Sequence, residues 1–561
     1  MIRGFRQAGF HDNEAMGKYD TLNKEELVRL IEARDRREAT RYGLVWETTG
    51  IEGEQALNAD YVALDLVPDL CCGPPPWRHL VIEGDNFDAL RALRPGFSGK
   101  VRCLATDPPY NTGNRDFLYN DRFLDKDDLW RHSKWLEFMF KRLTLARDLL
   151  AEDGAAFIHI DDNEVFNLGL LMNKVFGENN FIANCIWQKR YSASNDHKTI
   201  APLHEYVMAY RTSAMWQRRL LPRGGEKDAQ YKFEDEKGIF RCSDYTCNKS
   251  SEERQNLFYP IHQPVTGEAV WPKKTRVWAY SQAEHQRHVE EELIYWGKDG
   301  KGKVPAFKRY KHTLKNDGVV PHTWWTFEEV GHNDEAKKEL MAILPEQARS
   351  FSTPKPTRLI DRILQIGCNA TDIVLDIFAG SGTTGHAVLK ANAADGGSRR
   401  FVMVSNSEAT SEEPDKNLCR DVCAERLRRV AQGYTKADGT EVPGLGGGFA
   451  YLRCRRVPLG DLLELEHPAV WTALQLRHLG GILPYDAAAP FQWAEEGDSA
   501  LCYVPRFRNE DLKELRERVD AAGSVVIYSW QPGMLRQHLR RPLVTHEALP
   551  AGLSRPFGLR H

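Results

Sequence analysis

Short apolar runs at residues 80–82, 101–106 and 155–160 are each followed closely by polar or acidic residues: Gly84-Asp85-Asn86, Asp107 and Asp161-Asp162. Between them the apolar positions take a helical spacing. Residues 87–93 form one such stretch, and in 129–150 Trp130, Leu136, Met139, Leu143 and Leu150 recur near a period of about 3.6. Runs too short for a helix, separated by amphipathic helices, predict a parallel α/β sheet whose strands end on acids. The rhythm lapses over 181–349, which are rich in Trp, Tyr, His, Lys and Arg, and returns at Phe351. Ser352 and Thr353 can cap a helix with Pro354 in its first turn and Leu359, Ile360, Ile363 and Ile366 on its apolar face. A strand over 372–377, a glycine turn over 378–382, a helix over 383–390, a strand over 401–405 and a helix over 417–431 follow.

This pattern predicts five segments. A helical extension over 1–45 carries Leu27, Leu30 and Ile31 at helical spacing. Residues 46–180 and 350–440 are the two parts of one α/β domain, interrupted by an inserted domain over 181–349. The glycines at 444–448 mark a boundary, and 449–561 form a small α/β domain with a Leu-rich helix at 511–522 and a strand at 524–528.

With 42% apolar and 28% charged residues in a chain of 561, the composition is that of a multidomain globular protein and excludes a disordered or collagen-like one. No run of about 18 uncharged apolar residues is present, so no membrane span is expected. The first ten residues lack a signal-peptide core, and the 11 cysteines are scattered, so the expected location is the cytoplasm. A formal net charge of −3 excludes bulk electrostatic attachment to nucleic acid but leaves room for a local basic groove.

Gly380-Ser-Gly382-Thr-Thr-Gly385 reads as GxGxxG between a strand and a helix, a turn that brings backbone N–H groups close to a ligand. Glu408, after the next strand, stands where an acid would bind ribose hydroxyls. Alone, this loop fits NAD, FAD or S-adenosylmethionine equally. Asp107-Pro108-Pro109-Tyr110, at the end of a strand in the same sheet, narrows the choice. The prolines have no N–H and offer carbonyl acceptors, Asp107 adds a carboxylate, and Tyr110 adds a flat face for a planar base. Together they describe a pocket for an exocyclic amine on an aromatic ring. The pairs Cys242/Cys247 and Cys419/Cys423 lack zinc-site spacing, and no metal is expected. His159 reads as a packed residue, and Trp324-Trp325 as either core or base-stacking residues.

The order of these parts resembles the β class of DNA amino-methyltransferases, and within it the modification subunits of type III restriction–modification systems. Gly84-Asp85-Asn86, Tyr110-Asn111-Thr112, Gly331-His-Asn333-Asp-Glu335-Ala336 and Phe351-Ser-Thr-Pro-Lys355-Pro356 extend the resemblance, which covers about residues 25–435. It implies a Rossmann-like S-adenosylmethionine-dependent methyltransferase with an inserted target-recognition domain and a small C-terminal α/β domain. By resemblance Asp107, Pro108, Pro109 and Tyr110 are catalytic. Phe351, Ser352 and Lys355 would line the methionine end of the cofactor, Asp376, Phe378, Gly380 and Gly382 its middle, Glu408 its ribose and Asp85 its adenine. Asp at the first motif position resembles the adenine-N6 enzymes, with cytosine-N4 as the alternative. A flipped base of double-stranded DNA would be the target.

Lys273, Lys274, Arg276, Lys301, Lys303, Lys308, Arg309 and Lys311, interleaved with Trp271, Trp278 and Tyr310, would form the DNA groove of the inserted domain. The resemblance further implies a homodimer and a helicase/nuclease restriction subunit as partner, with direction of that partner as an alternative main role. The N-terminal helix and the last domain, with Arg536, Arg540, Arg541, Arg555 and Arg560, are the candidate contact surfaces.

Overall fold

The computed structural model describes Lys24, Val28 and residues 60–119, 122–125, 130–193, 198–223, 229–313, 318–347, 351, 353–409 and 413–549. The chain forms two compact units, Met1–Ala56 and Leu57–His561. In the first, Lys24 and Val28 are helical and exposed. Leu27, Leu30 and Ile31 of the predicted helix, like Ser352, Arg555 and Arg560, lie outside the described residues.

The second unit is built on a ten-stranded sheet. In chain order its strands are β1 (Asp60–Leu66), β2 (His79–Glu83), β3 (Val101–Thr106), β4 (Leu150–Ile160), β5 (Phe181–Gln188), β6 (His204–Arg211), β7 (Trp324–Trp325), β8 (Ile373–Asp376), β9 (Arg400–Ser405) and β10 (Phe449–Pro458). In space they run β1-β10-β2-β9-β8-β3-β4-β6-β5-β7. The run from β10 to β4 is parallel, and β1 and β6 join it antiparallel. The central parallel strands β3, β8 and β9 are largely apolar and buried, as expected of strands covered on both faces.

Between β3 and β8 the order reverses. The chain leaves β3 through helix α1 (Arg131–Leu149) to build β4 on one side, and leaves β8 through helix α2 (Thr383–Asp395) to build β9 on the other. Such a switch point opens a crevice at the carboxyl ends of the strands, where ligands of open α/β sheets bind. Asp107 and the glycine turn both emerge there.

Three boundaries differ from the sequence expectation. Strands β5 and β6 lie past residue 180 yet belong to the large sheet, β6 pairing with β4 and β5 with β6, so the excursion from the sheet spans residues 212–323. Their polar ends (Asn184, Gln188, His204, Glu205) hide the strand pattern. The glycines at 444–448 are a packing element: a Cβ on Gly448 would collide with the Cys72 carbonyl oxygen. They deliver β10, with three arginines in its second half, into the large sheet beside β2. Third, the helix expected from Ser352 begins at Thr357, with Pro356 as its N-cap, and runs to Gly367. A residue before proline is pushed out of the helical region, so Lys355 stays extended ahead of this helix. The apolar face is as expected, with Leu359, Ile360, Ile363 and Ile366 all buried.

The excursion contains a four-stranded sheet that includes Gly238–Asp244 and Ala306–Tyr310. Tyr245, Tyr259, Ile261, Trp278 and Trp296 form its own small core. Residues 492–548 form another four-stranded sheet, with a helix at Leu512–Ala521 and a strand at Ser524–Ser529. Helix His467–His478 joins that sheet to β1 and β10 through Trp471, Leu474, Tyr61 and Tyr503. Among the described residues no helix is long and apolar enough to cross a membrane.

Candidate active site

Parallel pairing of β3 with β8 sets Leu104 beside Leu375 and so brings their carboxyl ends together. Asp107, Pro108, Pro109 and Tyr110 follow β3 directly. Pro108 is buried, and the Pro109 carbonyl accepts the indole N–H of Trp135 at 2.7 Å. Of the two proline carbonyls expected to be free, that of Pro109 is therefore spent on holding the turn to α1. Asn111 continues the motif in the left-handed region at φ 57°, fully buried, and donates to Glu164 at 2.5 Å.

Asp107 heads a chain of four charged side chains, itself, Lys355, Glu205 and Lys189. Lys355 Nζ lies 3.0 Å from Asp107 Oδ2 and 3.2 Å from Glu205 Oε2, and donates to the Tyr110 hydroxyl at 2.9 Å. Tyr110 in turn donates to Glu205 Oε2 at 3.0 Å, and Lys189 Nζ lies 3.0 Å from Glu205 Oε1. Burial would raise the Glu205 carboxyl, but Lys355, Lys189 and the bond from Tyr110 overcome it and hold the group at about 2. Burial would lower the Lys355 ammonium, and Asp107 and Glu205 reverse that, so it stays charged above its ordinary range. Burial and the same two carboxylates push the Tyr110 phenol well up, so it remains protonated. His159, at the end of β4, is buried edge-on to Trp187 and, pulled down to about 4 by burial, is neutral.

Glu205 had not been expected. Its signal in the sequence is a lone acid at the head of the apolar run Val207-Met208-Ala209, in a stretch whose strand character was itself hidden. Trp187, which the Lys355 ammonium overlies at 5.6 Å, is a second such residue.

The glycine turn lies next to this cluster. Asp376 Oδ1 accepts from the Thr106 hydroxyl at 2.9 Å and the Phe378 amide at 3.1 Å, and Oδ2 accepts from Thr384 at 2.6 Å. Gly380 and Gly382 have φ of 50° and 80°. A Cβ on Gly380 would reach Phe351 at 2.9 Å, and one on Gly382 would reach the Cys423 carbonyl oxygen at 3.0 Å. Behind the turn, buried Arg426 donates to Thr383 Oγ1 at 2.9 Å and to Glu339 at 3.2 Å, fixing the start of α2. Phe378 meets the ring of Phe138 at 5.9 Å.

Asp85 caps the helix Asn86–Phe97 by accepting from Phe87 N and Asp88 N, and pairs with Arg142 at 2.7 Å. Glu408, at φ 52°, pairs with Lys416 at 3.1 Å. Beside it, past the ends of β2 and β9, lies a recess of about 360 Å³ lined by Glu83, Ser407, Lys416, Asn417 and Arg420.

The basic residues of the excursion do not share one role. Lys273, Lys274, Lys301, Lys303 and Lys311 are exposed. Arg309 is exposed on the other face of its strand from Lys308 and donates to Ser243 at 3.1 Å. Lys308 and Tyr310 both turn to Asp235, at 2.8 and 2.7 Å, so the Lys308 charge is neutralised within the sheet. Arg276 is paired with Asp244 at 3.0 Å. Trp278 and Tyr310 belong to the domain's interior, leaving Trp271 as the exposed aromatic of the three.

The residues present suit S-adenosylmethionine. A polar recess lies beyond β2 and β9, the glycine turn leads into the N-terminus of α2 after β8, and the buried Asp107 Oδ1 has no hydrogen-bond partner. Comparison with known proteins agrees. The sequence profile of a DNA methylase family matches residues 101–394. The chain is 35% identical over 383 residues to the type III restriction-modification enzyme StyLTI Mod subunit of Salmonella typhimurium, covering 63% of this chain and 57% of that protein. It is 30% identical to the EcoP15I Mod subunit of Escherichia coli, covering 63% of each. It is 31% identical to the type II methyltransferase M.KpnI of Klebsiella pneumoniae, covering 63% of this chain and 87% of that one. The chain thus spans roughly three-fifths of the length of these type III relatives. The profile takes in more than half of the 561 residues and includes both the Asp107 motif and the glycine turn: the chain belongs to the DNA methylase family.

Proposed function

We propose that this chain methylates an exocyclic amine of a base in double-stranded DNA, adenine N6 in the first instance, as the modification subunit of a type III restriction–modification system. The observation that carries the chemistry is the unpartnered, buried Oδ1 of Asp107 next to the Tyr110 ring at the sheet's switch point. Bound S-adenosylmethionine supplies an activated methyl group on a sulfonium. The chain itself supplies orientation and charge. Asp107 Oδ1 and the Pro108 carbonyl accept the two amine N–H bonds, which raises electron density on nitrogen and meets the positive charge that develops there. Tyr110 stacks on the ring and offsets part of the cost of flipping the base, a few kcal/mol. Glu83, Asp85, Phe351, Ser352, Asp376, Phe378 and Glu408 would hold the cofactor, and residues 212–323 would read the DNA through their exposed lysines.

The similarity to type III modification subunits supports a restriction subunit as partner and the cytoplasm as location; a second copy of this chain is a further proposed partner. Mapping modified bases in DNA from cells with and without this chain tests the function. N6-methyladenine at one short sequence, present only with the chain, is the expected outcome. N4-methylcytosine would reassign the base, and no modified base would refute methyl transfer.

A further inference from the structure

Lys355 was expected at the methionine end of the cofactor, yet its ammonium is fully engaged elsewhere. A lysine has three N–H donors. Here its neighbours at hydrogen-bond distance are three oxygens of the amine pocket: Asp107 Oδ2, Glu205 Oε2 and the Tyr110 hydroxyl. The side chains of Lys355 and Glu205 are each 8% exposed, so neither is drawn off by solvent. The charges alternate from Asp107 to Lys355 to Glu205 to Lys189, which keeps the buried cluster neutral. Asp107 is thereby divided: Oδ2 belongs to Lys355, and Oδ1 is buried without a partner.

We infer that Lys355, held in place by Glu205, is a positioning residue that clamps Oδ2 of the catalytic carboxylate and leaves Oδ1 as the acceptor for the target amine. This inference rests on the methyl-transfer reading above. A free carboxylate would rotate about its Cβ–Cγ bond and offer either oxygen. Clamped by an ammonium, it presents one oxygen in one direction, toward the positive charge that develops on the amine. Glu205 keeps the ammonium from leaving, and Lys189 keeps Glu205 from burying an uncompensated charge. The titratable and charged groups around the clamp are Asp107 and Tyr110 after β3, His159 on β4, Asp161 after β4, Lys189 after β5, Glu205 on β6 and Asp376 on β8.

The test uses the full chain with Lys355→Met and Glu205→Gln, tritiated S-adenosylmethionine at saturation and genomic DNA lacking methylation. Lys355→Met should keep its cofactor affinity by calorimetry within about twofold and lose at least about tenfold in transfer rate. Glu205→Gln should likewise keep its cofactor affinity and lose transfer rate several-fold, since the ammonium is then held by Asp107 and Tyr110 alone. Saturating cofactor removes any contribution of Asp376 through binding. Should Lys355→Met fail to fold, the transfer rate of Glu205→Gln at unchanged cofactor affinity decides. Cofactor affinity lost in Lys355→Met with full rate at saturation, or a wild-type rate in Glu205→Gln, would overturn the clamp. The melting temperature gives a readout independent of activity. The deficit of Lys355→Met should be larger at about pH 8 than at about pH 5, because buried Glu205, with the Lys355 charge gone, is relieved by protonation. A pH-independent deficit would mean simple packing. Wild-type chain without transfer would refute the methyl-transfer reading, and the melting data would still judge the clamp.

Discussion

Thr106, the last residue of β3, donates its hydroxyl to Asp376, the last residue of β8, at 2.9 Å. The two lie 270 residues apart in the chain. This bond joins the strand that delivers the amine pocket to the strand that delivers the glycine turn, and it sits under both. The long excursion between them can vary without disturbing the junction, because register between β3 and β8 is set by apolar neighbours such as Leu104 and Leu375.

Asp376 predicts a pH dependence. Burial, opposed by the bonds from Thr384, Phe378 N–H and Thr106, brings its carboxyl up to about 6. The group is therefore ionised above about pH 6 and neutral below. A sulfonium favours the ionised form, so affinity for S-adenosylmethionine should fall several-fold from about pH 7 to about pH 5. S-adenosylhomocysteine, whose thioether is uncharged, should not follow. Calorimetry with both ligands at both pH values checks this, and equal losses would place the effect away from the sulfonium.

Gly382 combines a left-handed φ of 80° with a backbone neighbour at 3.0 Å. Gly382→Ala should cost about 1–3 kcal/mol of stability, the usual range for a non-glycine residue forced into that region. A fall in melting temperature of the cofactor-free chain is the expected result. An unchanged melting temperature together with lost cofactor binding would make this glycine a ligand-contact position alone.

The lysines of the excursion should separate by environment. Lys301→Glu combined with Lys303→Glu should weaken DNA binding about tenfold at low salt and flatten its salt dependence, with melting unchanged. Lys308→Ala should instead lower the melting temperature, since it leaves Asp235 without its cation. Anisotropy titrations across salt concentrations and melting curves distinguish the two; equal effects of all three lysines on DNA binding would contradict the assignment.

What was legible in the sequence follows from where each residue's constraint lies. Strands β3, β4, β8 and β9 are buried on both faces, so their apolar runs stand out, and the glycine turn and Asp107 motif are local. The C-terminal helix was legible instead from the helical spacing of Leu515 and Val519, its two buried residues, and the strand from the apolar run at 525–528. Strand β10 was not, because Arg453, Arg455 and Arg456 pair with Glu83, Asp65 and Asp88 on neighbouring elements and make a sheet strand look like surface. The start of the helix at Thr357 was misplaced because capping residues at Ser352 and Thr353 are outweighed by two prolines that keep the chain extended. That extension sends Lys355 into the pocket. Its meeting with Asp107 and Glu205 depends on β6 reaching the sheet from beyond residue 180, which no local pattern carries.

The central claim is that the Asp107 pocket performs methyl transfer. The most direct measurement compares modified bases in DNA from cells making wild-type chain and Asp107→Ala, with both proteins purified to confirm equal cofactor affinity. Methylated amines at one sequence in the wild type and none in Asp107→Ala is the predicted result. Methylation that persists in Asp107→Ala at the wild-type level would contradict it.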